Sequence, residues 1–261
     1  MSERKKEIVK VVSQEAVADG IFSMWIETQA AESAKPGQFL SMYTSDSSRL
    51  LPRPISICEI DKEDSRLRVV YRVTGENTGT EQFSRMGAGD KLSLIGPLGN
   101  GFPLHEAKGK KVFLMGGGIG VPPILELAKE IVCGKKQIVA GYRDKQTFLK
   151  NEFERNGELY ISTEDGSVGT KGNVLDAIRE NGLSADIIYA CGPTPMLRAI
   201  KEYAEENNIV CYISLEERMA CGIGACLGCV CQTKERDSHS NVHNRRICKD
   251  GPVFLATEVE I

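Results

Sequence analysis

Excess positive charge is absent from this sequence: 33 Lys+Arg stand against 36 Asp+Glu, a formal net charge of −3, and no basic run gathers the cations together. A polyphosphate backbone needs such a concentration, so nucleic acid is excluded as a partner. Long apolar runs are missing too. Nothing approaches the roughly 20 apolar residues of a bilayer-spanning helix, and no membrane association is expected. Met1-Ser2-Glu3-Arg4-Lys5-Lys6 leads into a valine-rich stretch broken by charge, unlike the apolar core and small-residue cleavage site of a secretory signal. Cytoplasmic residence is the expectation. Evenly paired cysteines, the mark of a disulfide scaffold, are also lacking: the nine present are odd in number and crowd toward one end. That distribution points to metal.

The 261 residues suffice for two packed domains and a small appendage. From about Glu7 to Leu98 short apolar runs alternate with turn signals such as Pro36-Gly37 and Gly89-Asp90. The runs are Ile8–Val12, Phe22–Ile26, Phe39–Tyr43, Ile55–Ile57, Leu67–Tyr71 and Leu92–Ile95. Their pattern predicts an antiparallel sheet or small barrel with one short helix, Thr80–Met86. Beyond Pro103 strands alternate with helices: strands at Val112–Met115, Ile138–Tyr142, Leu159–Ser162, Ile187–Ala190 and Val210–Ile213, and helices at Pro122–Val132, Val174–Arg179 and Pro195–Glu205. Such alternation predicts a parallel sheet wrapped by helices. The expected fold class is therefore α+β and multidomain: an antiparallel β-barrel over 1–103, an α/β parallel-sheet domain over 104–216, and a small cysteine-bearing domain over 217–261.

Cys221, Cys226 and Cys229 follow the spacing C-x4-C-x2-C in a glycine-rich loop, and Cys248 comes after a charged insertion. This is the plant-type spacing of a 2Fe-2S cluster, whose loop must wrap thiolates around two irons while backbone amides approach the sulfides. Glycine permits that approach because it has no Cβ. Zinc also accepts four thiolates, but its sites usually use paired C-x2-C units at both ends. Cys231 lies close enough to Cys229 to substitute for it and is read as a bystander. His239 and His243 fall in a polar stretch and are read as solvated loop residues, not ligands. Cys58, Cys133, Cys191 and Cys211 sit in or beside apolar runs, where cysteine behaves as a small hydrophobe.

Arg53-Pro54-Ile55-Ser56 ends a loop and opens a strand. Its arginine offers a forked donor for a pyrophosphate, and its serine hydroxyl can reach a flavin nitrogen. Gly79-Thr80 opens the short helix, where amides favour phosphate. Val70-Tyr71-Arg72 adds a ring to lie along the cofactor and a second cation. In the second half, Met115-Gly116-Gly117-Gly118-Ile119-Gly120 links a strand to a helix, a turn whose glycines suit a nucleotide phosphate, although a purely structural tight turn fits the pattern as well. Cys191-Gly192-Pro193 ends another strand at the same edge of the sheet. Arg143 and Lys145 argue for NADP and Asp144 for NAD.

Arg53-Pro54-Ile55-Ser56, the Gly-Gly-Gly-Ile-Gly turn and Cys191-Gly192-Pro193 together resemble the ferredoxin–NADP reductase superfamily. With the cysteine loop and the segment Arg245–Phe254, nearly the whole chain resembles the electron-transfer subunits of type B dihydroorotate dehydrogenase. The resemblance implies FAD held by Arg53 to Ser56, Val70 to Arg72 and Gly79-Thr80. It implies a 2Fe-2S cluster on Cys221, Cys226, Cys229 and Cys248, with NAD, addressed by Gly117, Gly118, Gly120, Cys191, Gly192 and Pro193, as final acceptor. Ile55 stands where the wider superfamily often has tyrosine. The implied partner is an FMN-containing dihydroorotate dehydrogenase catalytic subunit, in a heterotetramer of two of each, and the implied pathway is pyrimidine biosynthesis. No side chain is expected to act as an acid, base or nucleophile. Ile223, Leu227 and Val230 beside the loop are read equally as partner interface or as inward packing. A subunit of an NADH-dependent ferredoxin–NADP oxidoreductase, or of a sulfide- or hydrogen-metabolising complex, is the rival enzyme reading. A zinc-stabilised nucleotide-binding regulator is the rival of another class.

Overall fold

The computed structural model describes residues 6–46, 48–236 and 241–261. The alternating runs of the first part form β1 (Lys6–Ala18), β2 (Ile21–Glu27), β3 (Phe39–Tyr43), β4 (Arg53–Asp61), β5 (Arg66–Arg72) and β6 (Lys91–Leu98). They close into an antiparallel barrel in the order β1-β2-β5-β4-β3-β6. Alternation is the cause: Leu40 and Met42 of β3, Leu67, Val69 and Tyr71 of β5, and Leu92 and Leu94 of β6 all turn into one buried core. The short helix α1 (Gly79–Ser84) adds Phe83 to that core. Gln14 ties the end of this helix to the barrel, donating to the carbonyls of Phe83 at 3.0 Å and Met86 at 2.6 Å.

The next elements are β7 (Lys111–Gly117), α2 (Pro122–Glu130), β8 (Lys135–Tyr142), α3 (Lys150–Glu154), β9 (Glu158–Thr163), β10 (Thr170–Lys171), α4 (Val174–Glu180), β11 (Ile187–Cys191), α5 (Thr194–Glu206) and β12 (Val210–Ser214). After the cysteine loop come β13 (Val230–Thr233), β14 (Asn244–Arg246), α6 (Ile247–Asp250), β15 (Val253–Leu255) and β16 (Val259–Glu260). A seven-stranded sheet has the order β10-β9-β8-β7-β11-β12-β15, parallel except for β15, which runs antiparallel to β12. The chain leaves β7 in one direction toward β8 and later returns to its other side as β11. That reversal opens a crevice at the carboxyl ends of β7 and β11, where open parallel sheets bind ligands. A small sheet orders its strands β14-β13-β16.

The chain divides into two compact units. One holds the barrel, through Gly101, with Glu216–Val230 and Arg246–Pro252; the other holds Phe102–Leu215, Cys231–Arg245 and Val253–Ile261. Residues 217–261, expected as a domain of their own, are thus shared. The reason is local: the cysteine loop lies on β3 of the barrel, whereas β15 completes the edge of the parallel sheet. Among the described residues no helix is long and apolar enough to cross a membrane.

Candidate cofactor sites on the barrel and the parallel sheet

The barrel unit carries Cys221, Cys226, Cys229 and Cys248. They arrive as two pairs. The Cys226 amide donates to the Cys221 sulfur at 3.3 Å, and the Cys248 amide lies 3.5 Å from the Cys229 sulfur. The fourth cysteine, far along the chain, is returned by the insertion: the Thr233 amide donates to the His243 carbonyl at 3.1 Å as the chain doubles back, and α6 follows directly. The Arg246 guanidinium then fastens α6 to the loop, donating to the Gly224 carbonyl at 2.8 Å while its Nε faces Asp250 at 3.4 Å. The Ile247 amide donates to the Cys229 carbonyl at 2.8 Å. Gly222 has φ +67°, and a Cβ there would stand 2.4 Å from the Ser41 hydroxyl oxygen on β3. Glycine is required on both counts.

Burial pushes the Cys221 thiol up, but hydrogen bonds from the amides of Cys226, Ile223 and Ala225 outweigh it and bring the thiol down to about 6. Those amides favour negative sulfur, as a metal thiolate requires. Cys248 is pushed up to about 12 by burial, then by the hydrogen bond and charge of Cys229. Among the described residues no three His, Cys, Asp or Glu side chains converge as ligands of a single metal ion. A two-iron cluster divides four thiolates between its irons. The paired donor set therefore fits the cluster.

Cys231 lies in the other compact unit and points its thiol at the Arg245 carbonyl, 3.5 Å away. His243 engages both ring nitrogens, Nδ1 facing the carbonyls of Thr233 at 3.3 Å and Lys234 at 3.0 Å and Nε2 accepting from Arg236 at 3.2 Å. Neither nitrogen is left for a metal. His239 lies outside the described residues. Cys58 and Cys211 are buried as expected, while Cys133 and Cys191 are half-buried. Ile223, Leu227 and Val230 are exposed, Leu227 to 71%.

Arg53 opens β4, paired with Met42 of β3, and Pro54 pairs with Ser41. Its guanidinium donates to the Leu51 carbonyl at 2.5 Å and lies on Gly79, where a Cβ would stand 2.6 Å from Nε. β4 and β5 are antiparallel neighbours, so the start of one and the end of the other share a rim, bringing Arg53 and the exposed Arg72 to the same side. Arg53, lying against Gly79 at the entry of α1, offers a forked cation that fits a pyrophosphate. Thr80 works inward: its hydroxyl accepts from the Thr74 amide at 3.1 Å. Ile55 and Ser56 are half-buried, and Val70 is buried on the face of β5 opposite the core residues. The expectation that Tyr71 lays its ring along a cofactor is overturned. It is 1% exposed, turned into the core by strand alternation, with its hydroxyl donating to Gln14 at 2.7 Å and its ring 6.1 Å from both Phe22 and Phe83.

On the sheet, Cys191 at the end of β11 is in register with Gly116 of β7. The two turns touch: a Cβ on Gly120 would lie 2.5 Å from the Cys191 carbonyl oxygen, and one on Gly117 would meet the Met196 sulfur and Pro193. The glycines thus serve first to let the turns pack, placing Gly117, Gly118, Gly120, Cys191, Gly192 and Pro193 around one crevice. Asp144 accepts from the Gln146 amide at 2.9 Å, stabilising its own turn, and Arg143 and Lys145 are exposed.

Comparison with known proteins agrees with this geometry. Residues 216–260 match the iron-sulfur cluster binding domain of dihydroorotate dehydrogenase B, and residues 114–202 match an oxidoreductase NAD-binding domain. The dihydroorotate dehydrogenase B (NAD(+)), electron transfer subunit of Geobacillus sp. (strain WCH70) is 43% identical, covering 98% of this chain and 98% of its own. That of Fusobacterium nucleatum is 45% identical over 88% of each chain. Among solved structures, a chain of the NADH-dependent reduced ferredoxin-NADP oxidoreductase superposes with a TM-score of 0.86 and 27% identity, covering 97% of this chain and 90% of that one. A ferredoxin NADP+ reductase from Neisseria gonorrhoeae with bound FAD and NADP shares the fold, at a TM-score of 0.65 and 16% identity over 78% of this chain and 92% of that one. Barrel, sheet and cysteine pairs define an NAD-linked oxidoreductase subunit of the ferredoxin–NADP reductase fold that works with FAD and an iron–sulfur cluster. Within that class the chain belongs to the electron transfer subunits of dihydroorotate dehydrogenase B (NAD(+)).

Proposed function

We propose that this chain carries electrons to NAD+ from dihydroorotate oxidised on the FMN of a catalytic partner subunit, in pyrimidine biosynthesis and in an assembly of two of each subunit. The observation that carries the reading is the position of the paired cysteines. Their loop rests on Ser41 of β3, and β3 pairs directly with the strand that begins Arg53-Pro54-Ile55-Ser56. When bound, the cluster passes single electrons, the flavin exchanges one or two, and NAD takes a hydride, so the three convert one kind of transfer into the other.

The protein's task is to hold and orient. Cys221, Cys226, Cys229 and Cys248 would hold the irons as thiolate ligands, with Arg246 and Asp250 keeping Cys248 against the loop. Arg53 and Arg72 neutralise the FAD pyrophosphate, and the turn around Gly118 with Cys191-Gly192-Pro193 receives NAD. Exposed Leu227 and Ile223, beside the cysteines, suit a partner surface. A cytoplasmic location belongs to the same proposal, since nine cysteines, odd in number and crowded toward one end, do not form the disulfide scaffold of a secreted chain.

The test is co-purification from the native cell followed by dihydroorotate-dependent NAD reduction. Cys226→Ser is expected to bring that coupled rate to background while flavin-dependent NADH oxidation continues. Full coupling in the variant would remove the cluster from the path. The likeness to the ferredoxin-NADP oxidoreductase supports a second reading, which ferredoxin-dependent and dihydroorotate-independent reduction would establish. A colourless preparation rich in zinc, without iron or labile sulfide, would end both.

A further inference from the structure

Ser41 is fully buried, yet among the described residues its hydroxyl has no hydrogen-bond partner. Leaving a hydroxyl unsatisfied in the interior costs about 1–3 kcal/mol, so such a group calls for a physical reason. Other buried polar atoms without partners belong to side chains anchored elsewhere: Arg49 pairs with Asp46 at 3.0 Å, Arg66 with Asp64 at 2.9 Å, and Gln82 bonds Ser45 at 2.9 Å. Serine has only the one polar atom. Ser162 shares that condition, but it lies within the parallel sheet beside Gly141.

The surroundings of Ser41 are specific. Its neighbours Leu40 and Met42 face the barrel core, so strand alternation turns Ser41 outward. There its oxygen stands 2.4 Å from where a Cβ of Gly222 would be, against the residue that follows Cys221. Across the ladder it pairs with Pro54 on one side and Ile95 on the other. A hydroxyl inserted between an iron-binding loop and a flavin-binding strand, with no acceptor for its proton among the described residues, is matched to one that arrives with a cofactor.

We propose that the Ser41 hydroxyl is a hydrogen-bond donor to a sulfur of the iron–sulfur centre held by the Cys221–Cys229 loop, and so sets its reduction potential. The inference rests on the functional reading above. Reduction adds one electron's negative charge to the centre, and a donor aimed at its sulfur stabilises the reduced form more than the oxidised one. Ser41 is a positioning and tuning residue here, with no bond made or broken.

The test is a redox titration of the intact two-subunit complex, following the reduced cluster by electron paramagnetic resonance and the flavin by absorbance. Ser41→Ala is expected to shift the cluster's reduction equilibrium about tenfold toward the oxidised form, ~59 mV lower for a one-electron couple. Ser41→Thr and Ser41→Val have nearly equal volume and differ in the hydroxyl. Threonine is expected to stay near the parent and valine to shift with alanine, which separates hydrogen bonding from packing should alanine load poorly. Threonine and valine titrating together, or a flavin potential that moves while the cluster's stays fixed, would overturn the proposal. A complex lacking iron and labile sulfide would end the cluster reading itself. One that holds both, with a potential indifferent to Ser41, ends this inference alone.

Discussion

A methyl group at position 79 would stand 2.6 Å from Nε of Arg53, 2.9 Å from its Cζ and 3.0 Å from Nη2, so the guanidinium would have to swing off the entry of α1. An arginine tip is flexible and the fold tolerates the move, but the cation no longer faces a pyrophosphate. Gly79→Ala is therefore expected to weaken FAD about tenfold, or ~1.4 kcal/mol, with an almost unchanged melting temperature. Fluorescence titration of flavin into stripped protein measures it, and parental affinity would detach Arg53 from FAD. Arg53 and Gly79 were legible in the sequence because each is a residue type with a narrow use. Tyr71 was misread for the complementary reason. Alternation shows that Val70 and Tyr71 face opposite ways, but which way leads to the core is decided by the strands on either side. Ser41 went unnoticed because one serine in Phe39–Tyr43 carries no motif; its signal was a polar residue alternating with buried apolar ones.

At the scale of the element, α4 shows a local rule at work. Asn173 caps it, accepting from the amides of Leu175 at 2.8 Å and Asp176 at 3.2 Å, while the Asp176 carboxylate accepts from the Asn173 amide at 2.8 Å. Reciprocal capping satisfies amides that the first turn leaves without partners. Asn173→Ala is expected to cost about 1 kcal/mol, read as a lower urea midpoint. Its flavin and cluster spectra should stay intact, because α4 belongs to the nucleotide-binding unit. A loss of more than twice that size, or bleached cofactors, would contradict so local a role. Strands and helices with a sustained period were visible in advance. The short ones were not: β10, β14, β15 and α6 are too brief to display any period, and β15 exists because β12 offers it an edge.

Across the whole molecule, several acids are buried with their protons on. Burial pushes Cys211 up to about 12, and it raises Tyr71 and Tyr142 above the ordinary tyrosine value. In the unfolded chain the cysteine ionises near 9 and tyrosines near 10. The unfolded state then releases protons that the folded state keeps, so stability falls as pH rises. The contribution of Cys211 is complete below pH 9 and is lost between there and about 12, on the order of 4 kcal/mol. Urea midpoints at pH 8, 10 and 11 should decline progressively, more steeply above 10 as the tyrosines join. A flat profile would mean that these groups are hydrated in the native state.

Read by itself, the sequence determined the two architectures, the order of their motifs and the cysteine set, because strand and helix periods, glycine turns and C-x4-C-x2-C spacing are local properties of the chain. Tertiary structure alone decided that the cysteine loop joins the barrel unit while the following segment joins the sheet. It also decided that Ser41 faces Gly222. Those outcomes depend on which distant surfaces meet and bury one another, and contacts between residues far apart in the chain leave no periodic trace in it.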